Sequence, residues 1–349
     1  MRSLVTFIPA TIISLIILII MGVYSKSGLT IYYVIILGLL EISLSFDNAV
    51  VNAKVLAKLS NTWRVLFLWV GLPIAVFGMR FIFPVLLVYW TSPLSFSKVI
   101  NQAFYEPQKY SHALNAGMPL IAGFGACFLL MVFISFLFEY RSKSNPKSNP
   151  HQHSECWIGF IEDSIFVRWL RGYIWSVACI GIITCIIIWI LGWSILGEPN
   201  MGWSALLGLI IHQFLYFINQ ILGREKSSKN TFVSGLMGFC YLEILDASFS
   251  FDGVLGAFAI TNDILIIFAG LAIGALYVRS MTIFLVNHKV LTKFKYLEHG
   301  AFYAIGFLAI MLFLKLFVHI PEWIVASVSI LIILIAIWHS KLEQIKENK

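Results

Sequence analysis

The sequence predicts an all-α polytopic membrane protein, and three observations carry that expectation. Hydrophobic residues make up 60% of the chain and charged residues 12%, against about 25% charged in ordinary soluble domains. The mean hydropathy is +0.89. Ten apolar runs also reach the length of about 20 residues that a helix needs to cross a ~30 Å hydrocarbon core.

The runs are taken in order. Residues 4–23 form the first; it is too long for the apolar part of a signal peptide, and no small-residue cleavage site follows it. Runs at 30–57, 63–90 and 117–138 come next, with 91–116 between the last two. That interval holds Pro93, Pro107, Lys109 and Tyr110, is too polar to span, and reads as an extracytoplasmic loop or a short amphipathic helix. Residues 140–170 open on Ser-Lys-Ser-Asn-Pro-Lys-Ser-Asn-Pro, a turn-rich stretch, and form the largest cytoplasmic loop. Runs at 173–196, 203–222, 231–260, 264–287, 301–318 and 323–338 complete the set. The organisation expected is an N-terminal helix (1–29), a first repeat (30–138), a cytoplasmic loop (139–172), connecting helices (173–230), a second repeat (231–318), and a last helix with its tail (319–349).

Positive charge sets the topology. With the N-terminus inside, seventeen Lys and Arg fall in cytoplasmic segments and only Lys26, Lys98 and Lys109 on the other side. That asymmetry follows the positive-inside rule and places both termini in the cytoplasm of a cell whose cytoplasmic (inner) membrane holds the protein. The formal charge of +7 therefore marks loops, not a nucleic-acid surface. Five cysteines without paired spacing indicate neither a disulfide framework nor a zinc site. The absence of a phosphate-binding loop, a dinucleotide fingerprint and a Ser/His/Asp pattern argues against an enzyme, and no prosthetic group is expected.

Function is read from an internal repeat. Glu41-Ile-Ser-Leu-Ser-Phe-Asp47-Asn48 and Asp246-Ala-Ser-Phe-Ser-Phe-Asp252-Gly253 share one acidic-x-Ser-x-Ser-Phe-Asp pattern. A second block repeats in the same order, Gly71-Leu-Pro-Ile to Arg80 and Gly270-Leu-Ala-Ile to Arg279. The motifs lie on the second and seventh runs, an odd separation, so the two units cross the membrane in opposite senses. This is an inverted repeat of 3+3 core helices, and such repeats place a substrate site near the bilayer midplane.

A carboxylate at the bilayer centre costs roughly 2.5–3.5 kcal/mol on insertion scales and marks an ion or substrate pathway by default. Glu41, Asp47, Glu243, Asp246 and Asp252 are all of this kind. Glu41, Ser45, Asn48 and Asn52 fall on one helical face, as do Glu243, Asp246, Ser250 and Gly253. Asp47 and Asp252 point elsewhere on a regular helix, which suggests a break near each Ser-Phe-Asp segment. The candidate ligands Glu41, Ser45, Asp47, Asn48, Asp246, Ser250 and Asp252 are all oxygen donors, suited to Mn²⁺, Ca²⁺ or Mg²⁺ and not to soft metals. Glu243 is the candidate proton relay, because a carboxyl among other acids binds a proton more readily. Arg80 and Arg279 are assigned gating or structural roles. The bland alternative is that these arginines neutralise the acids, which still leaves more acids than bases. His151, His153, Glu155 and Cys156 read as a solvated loop.

These residues resemble the TerC/Alx family of integral membrane proteins, within the LysE transporter superfamily. The resemblance rests on Glu41 with Leu44-Ser45-Phe46-Asp47-Asn48, on Glu243-Ile-Leu-Asp246 with Phe249 and Asp252, on Phe258-Ala-Ile-Thr261-Asn-Asp263, on Gly270-Leu with Leu276-Tyr277 and Arg279, and on Tyr296-Leu297, Gly300 and Lys315. Pro107-Gln-Lys-Tyr110 and Phe124-Gly-Ala-Cys-Phe-Leu129 are similar to the branch labelled domain of unknown function 475. The resemblance implies manganese or related divalent-cation export, with both acidic motifs binding the ion. The departures are Gly253, where a Ser usually follows the second Asp, and the whole of 91–230. The partners expected are the bilayer and a divalent ion, with no nucleic acid and a homo-oligomer left open. Competing readings are proton-coupled export of an amino acid or other small solute, and a tellurite-resistance-related membrane protein acting through partners.

Overall fold

The computed structural model describes residues 4–25, 27–142, 157–162, 176–224, 231–261, 263–318 and 320–347. Among them every regular element is helical. A backbone in hydrocarbon has no water to bond, so helices that satisfy their own N–H and C=O groups are the natural outcome of this composition. The chain is a multi-pass membrane protein.

The helices in chain order are α1 (Ile8–Ser25), α2 (Gly28–Leu44), α3 (Phe46–Leu56), α4 (Asn61–Thr91), α5 (Phe96–Tyr105), α6 (Pro107–Ala116), α7 (Met118–Ser142), the single turn α8 (Gly159–Glu162), α9 (Ser176–Leu191, continued as a π-helical turn to Leu196), α10 (Asn200–Arg224), α11 (Thr231–Ile260), α12 (Ile264–Asn287), the single turn α13 (Val290–Lys293), α14 (Leu297–Leu314) and α15 (Glu322–Glu347). Among the described residues seven are long and apolar enough to cross a membrane, and the bent pair α2 and α3 makes an eighth. Two of the ten expected runs are not among these eight. They fold as the 25-residue α10 and the 30-residue α11, about 38 and 45 Å long at 1.5 Å per residue. Helix α11 carries Glu243, Asp246 and Asp252 along its length, which lowers its apolar character without shortening it. The expected extracytoplasmic interval is a pair of ten-residue helices, α5 and α6, with Val99, Ala103, Tyr110 and Leu114 buried.

The chain divides into two compact units. The first comprises residues 1–118, 219–293 and 319–330. Its axis is α12, in which sixteen of 24 residues are buried, and which packs along α2. Small residues permit this contact. A Cβ on Gly274 would stand 3.0 Å from the carbonyl of Gly38 and would collide with the Glu41 side chain, and one on Gly270 would meet Leu37 and, at 3.0 Å, the carbonyl of Val34. Helices in lipid associate by such close backbone approach, since no hydrophobic force separates them from acyl chains. On α1 only Ala10, Ser14 and Met21 are buried, whereas Ile12, Leu15, Ile16, Ile19 and Ile20 are exposed, as a lipid-facing surface requires.

The second unit comprises residues 119–218, 294–318 and 331–349. Helices α7, α9 and α10 share a core of Cys127, Met131, Val177, Cys185, Ile188, Met201, Ala205 and Leu209. In the same unit Phe136 of α7 stacks on Phe302 of α14 at 4.1 Å between ring centroids. The His212 ring on α10 meets Ser135 Oγ on α7 at 3.1 Å, an interhelical hydrogen bond.

The α2–α12 seam yields a direct expectation. Gly270→Ala lowers stability by about 1–3 kcal/mol, the usual cost of overpacking a close contact. Gly28→Ala, where a Cβ meets nothing within 4 Å, leaves it unchanged. Thermal unfolding of both variants in detergent reads the difference.

Candidate functional site

The site grows from a bend. Helix α2 stops at Leu44, α3 starts at Phe46, and their axes differ by 54°. Ser45, at φ −103° and ψ 16°, is the hinge; its hydroxyl donates to Glu41 Oε1 at 2.8 Å. Ser, Asp and Asn side chains offer backbone groups local alternatives to helical hydrogen bonds. Here Asp47 Oδ1 accepts the Asn48 backbone N–H at 2.9 Å. The bend also creates a fresh helix start, and Asp47 occupies its first turn, where the positive end of the helix favours a carboxylate.

The second motif behaves differently. Helix α11 runs unbroken from Thr231 to Ile260, so the break suggested for each motif occurs only in the first. Where the first motif has Asn48, whose side chain donates to Asp246 Oδ1, the second has Gly253, which has no side chain. The side chains of Ser250 and Asp252 lie outside the described residues.

Two buried arginines close the charge balance in part. Arg80 sits on the π-helical stretch Ile74–Ile82 of α4. Its Nη1 donates to the carbonyl of Ala75 at 2.6 Å, and its Nη2 meets Glu41 Oε1 at 2.5 Å. Arg279 on α12 reaches Glu243 Oε1 at 3.1 Å and Oε2 at 3.3 Å, and lies 3.7 Å from Asp246 Oδ2. The same guanidinium donates to the carbonyls of Phe67 and Gly71 at 3.1 and 2.9 Å and stacks on the Phe67 ring at 3.7 Å. Gly71 is forced by this arrangement: a Cβ there would collide with Glu243 Oε1 and stand 2.8 Å from Arg279 Nη1. The glycine of the first repeat thus cradles the arginine of the second.

The two motifs meet. Asn48 Nδ2 donates to Asp246 Oδ1 at 2.7 Å, and Glu41 Oε2 lies so close to Gly253 that a Cβ there would collide with it. Glu41, Ser45, Asp47, Asn48, Asn52, Arg80, Glu243, Asp246 and Arg279 are all buried. Four buried oxygens, Glu41 Oε2, Asn48 Oδ1, Asn52 Oδ1 and Asp246 Oδ2, accept no hydrogen bond. Buried acceptors are ordinarily satisfied, and these four are left without a hydrogen bond, Asp246 Oδ2 having only the Arg279 guanidinium at 3.7 Å. Among the described residues no three His, Cys, Asp or Glu side chains already stand as a metal cage. His151, His153, Glu155 and Cys156 lie outside the described residues.

Sequence reasoning missed two shaping features. Gly71 and Gly253 carry no chemistry, yet their lack of a side chain admits Glu243, Arg279 and Glu41; the conspicuous signal was the repeated Gly-to-Arg spacing. The pairing of Cys127 with Cys185 was invisible, because the two are 58 residues apart.

Residues 46–347 match the family model described as "Protein of unknown function (DUF475)". The chain belongs to the DUF475 family. The match begins at Phe46, so it takes in Asp47, Asn48, Arg80, Glu243, Asp246 and Arg279 and leaves Glu41 just outside. Two curated relatives are similar to this DUF475 chain. The "Uncharacterized membrane protein RP786" of Rickettsia prowazekii (strain Madrid E) is 27% identical over 121 residues, 35% of this chain and 40% of that protein. An "Uncharacterized membrane protein" of Rickettsia bellii (strain RML369-C) is 27% identical over 114 residues, 32% of this chain and 37% of that protein. The chain thus spans well under half the length of these relatives. No solved structure matches it.

The ion pairs carry a prediction of their own. Arg80→Ala strands Glu41 in the core and costs about 3–5 kcal/mol, as removal of one partner of a buried pair does. Combining it with Glu41→Gln recovers a large part of that loss, which a thermal or denaturant unfolding series of the two single variants and the double variant will show.

Proposed function

We propose that this protein is a secondary transporter that exports Mn²⁺, or a related hard divalent cation such as Ca²⁺ or Mg²⁺, across the cytoplasmic (inner) membrane by alternating access, with both termini cytoplasmic. The observation that carries the reading is the convergence of the two repeated acidic motifs through Asn48 and Asp246, surrounded by buried oxygens without donors. Hard divalent ions take oxygen ligands. The resemblance to TerC/Alx proteins supports manganese within that class.

Charge balance supports coupling. Glu41, Asp47, Glu243, Asp246 and Asp252 carry five negative charges, and Arg80 and Arg279 return two. One divalent cation and one proton add positive charge to this acid-rich set, with Glu243 as the proton carrier. In the state described the guanidiniums act as counterions to Glu41, Glu243 and Asp246. Cation entry and arginine release then become one event, with Asp47, Asp246, Asp252 and Glu41 as ligands and Asn48, Ser45 and Ser250 completing the set. Two conformations that differ in which positive group the acids hold are what alternating access needs.

One observation favours a second reading. Arginines and carboxylates standing together suit a zwitterion, whose carboxylate meets a guanidinium and whose ammonium meets an acid, and this fits proton-coupled export of an amino acid. The substrates are separated by ligand-dependent stability, since a ligand stabilises by RT ln(1 + [L]/Kd), about 2.7 kcal/mol at a hundredfold excess over Kd. Thermal unfolding of the purified protein rises with Mn²⁺ and not with amino acids if the first reading holds.

In cells producing the protein, Asp47→Asn and Asp246→Asn are expected to raise intracellular manganese to the level of cells lacking it. Glu106→Gln, at the exposed pair with Lys109, leaves it low. Unchanged manganese in both motif variants, confirmed as folded and membrane-inserted, refutes the proposal.

A further inference from the structure

A sulfur-rich seam runs through the second unit, using none of the residues of the acidic centre. Cys127 Sγ on α7 and Cys185 Sγ on α9 stand 3.6 Å apart, and both thiols are free and buried. Met131 lies one turn after Cys127 on α7 and is fully buried. Its Sδ would be 3.0 Å from a Cβ on Gly181, which lies one turn before Cys185 on α9. On the other side of the thiol pair, Met201 is also fully buried. Its Sδ would be 3.2 Å from a Cβ on Gly192, and its Cγ 3.0 Å from one on Gly123, one turn before Cys127. Met131 and Met201 thus belong to the same core as the thiol pair and pack against neighbouring turns of its two helices. Three glycines provide the room, and Val177, Ile188, Ala205 and Leu209 complete the core.

We propose that Cys127 and Cys185 bind a soft monovalent cation, Cu(I), with Met131 and Met201 completing a sulfur surround. Thiolate and thioether ligands select soft ions, and hard ions prefer oxygen. Charge decides between monovalent and divalent candidates. When Cu(I) replaces one of the two thiol protons, the product is a thiolate, a thiol and a 1+ ion. The proton leaves to solvent, no electron is transferred, and the buried site stays neutral. A divalent ion needs both thiols deprotonated for the same neutrality, and Zn²⁺ at a structural site adds a demand for four strong ligands. An apolar core tolerates a neutral complex and penalises a net charge. In the bland reading the cysteines are small hydrophobes filling space, and the experiment below separates the two.

The full-length protein, purified in detergent under reducing and anaerobic conditions, is titrated with Cu(I) presented as its bicinchoninate complex. The wild type is expected to withdraw a single equivalent that the Cys127→Ala/Cys185→Ala variant, with unchanged thermal unfolding, does not. X-ray absorption at the copper edge is expected to show sulfur ligands alone. The proposal is overturned if the wild type withdraws no copper, or if the double variant withdraws as much as the wild type, which would place the metal on other cysteines. Oxygen or nitrogen ligands in the wild-type copper spectrum overturn it equally, and that measurement stands even if the double variant fails to fold.

Discussion

A charge placed in hydrocarbon must find its opposite, and the first unit is organised around that requirement. The idealised transfer of one carboxylate from water to a low-dielectric interior costs on the order of 20 kcal/mol before relaxation. Glu41 and Glu243 lie in the middle of apolar sequence and are almost fully excluded from solvent. Each is met by an arginine nine residues after a glycine, one on α4 and one on α12. The positions of these helices follow from the pairs as much as from apolar packing. The π-helical stretch of α4 turns Arg80 toward Glu41, and Gly71 opens the space into which Arg279 and Glu243 fit.

The glycines along α12 serve the same end. Gly270 and Gly274 draw α2 close enough for Gly274 to lie against the Glu41 side chain, so the carboxylate sits at the tightest part of the interface. The bend at Ser45 then turns the chain so that Asn48 reaches across to Asp246. Without the bend, α3 would continue along α2. One motif bends and the other stays straight, so repeats of similar sequence give unequal halves. One arm is straight over its 30 residues and the other turns by 54°.

Much of this could be read from residue order. Apolar runs set the helices because length against bilayer thickness is a one-dimensional property, and each of the ten runs falls on helix in the described residues. The repeat was visible because two blocks recur with the same internal spacing. The suggestion of a break was met at Ser45, where a hydroxyl, a carboxylate and an amide fall within the four residues Ser45-Phe46-Asp47-Asn48. It failed in the second motif, where α11 runs unbroken from Thr231 to Ile260. The arginines were legible as basic residues within apolar runs, but which acid each would take was not. Glu243 has no acidic counterpart in the first motif, yet it holds Arg279 at shorter distance than Asp246 does.

By itself, then, the sequence determined that the chain is helical and membrane-embedded, that it repeats, and that acidic side chains lie in the middle of its apolar segments. These depend on composition and on spacing along the chain, which local physics can read. Only the tertiary structure decided that Asn48 joins Asp246, that Gly71 and Gly253 are cradles, and that Cys127 faces Cys185. Those contacts link residues from 58 to 212 positions apart, and their formation depends on how helices pack, a property that no local pattern encodes.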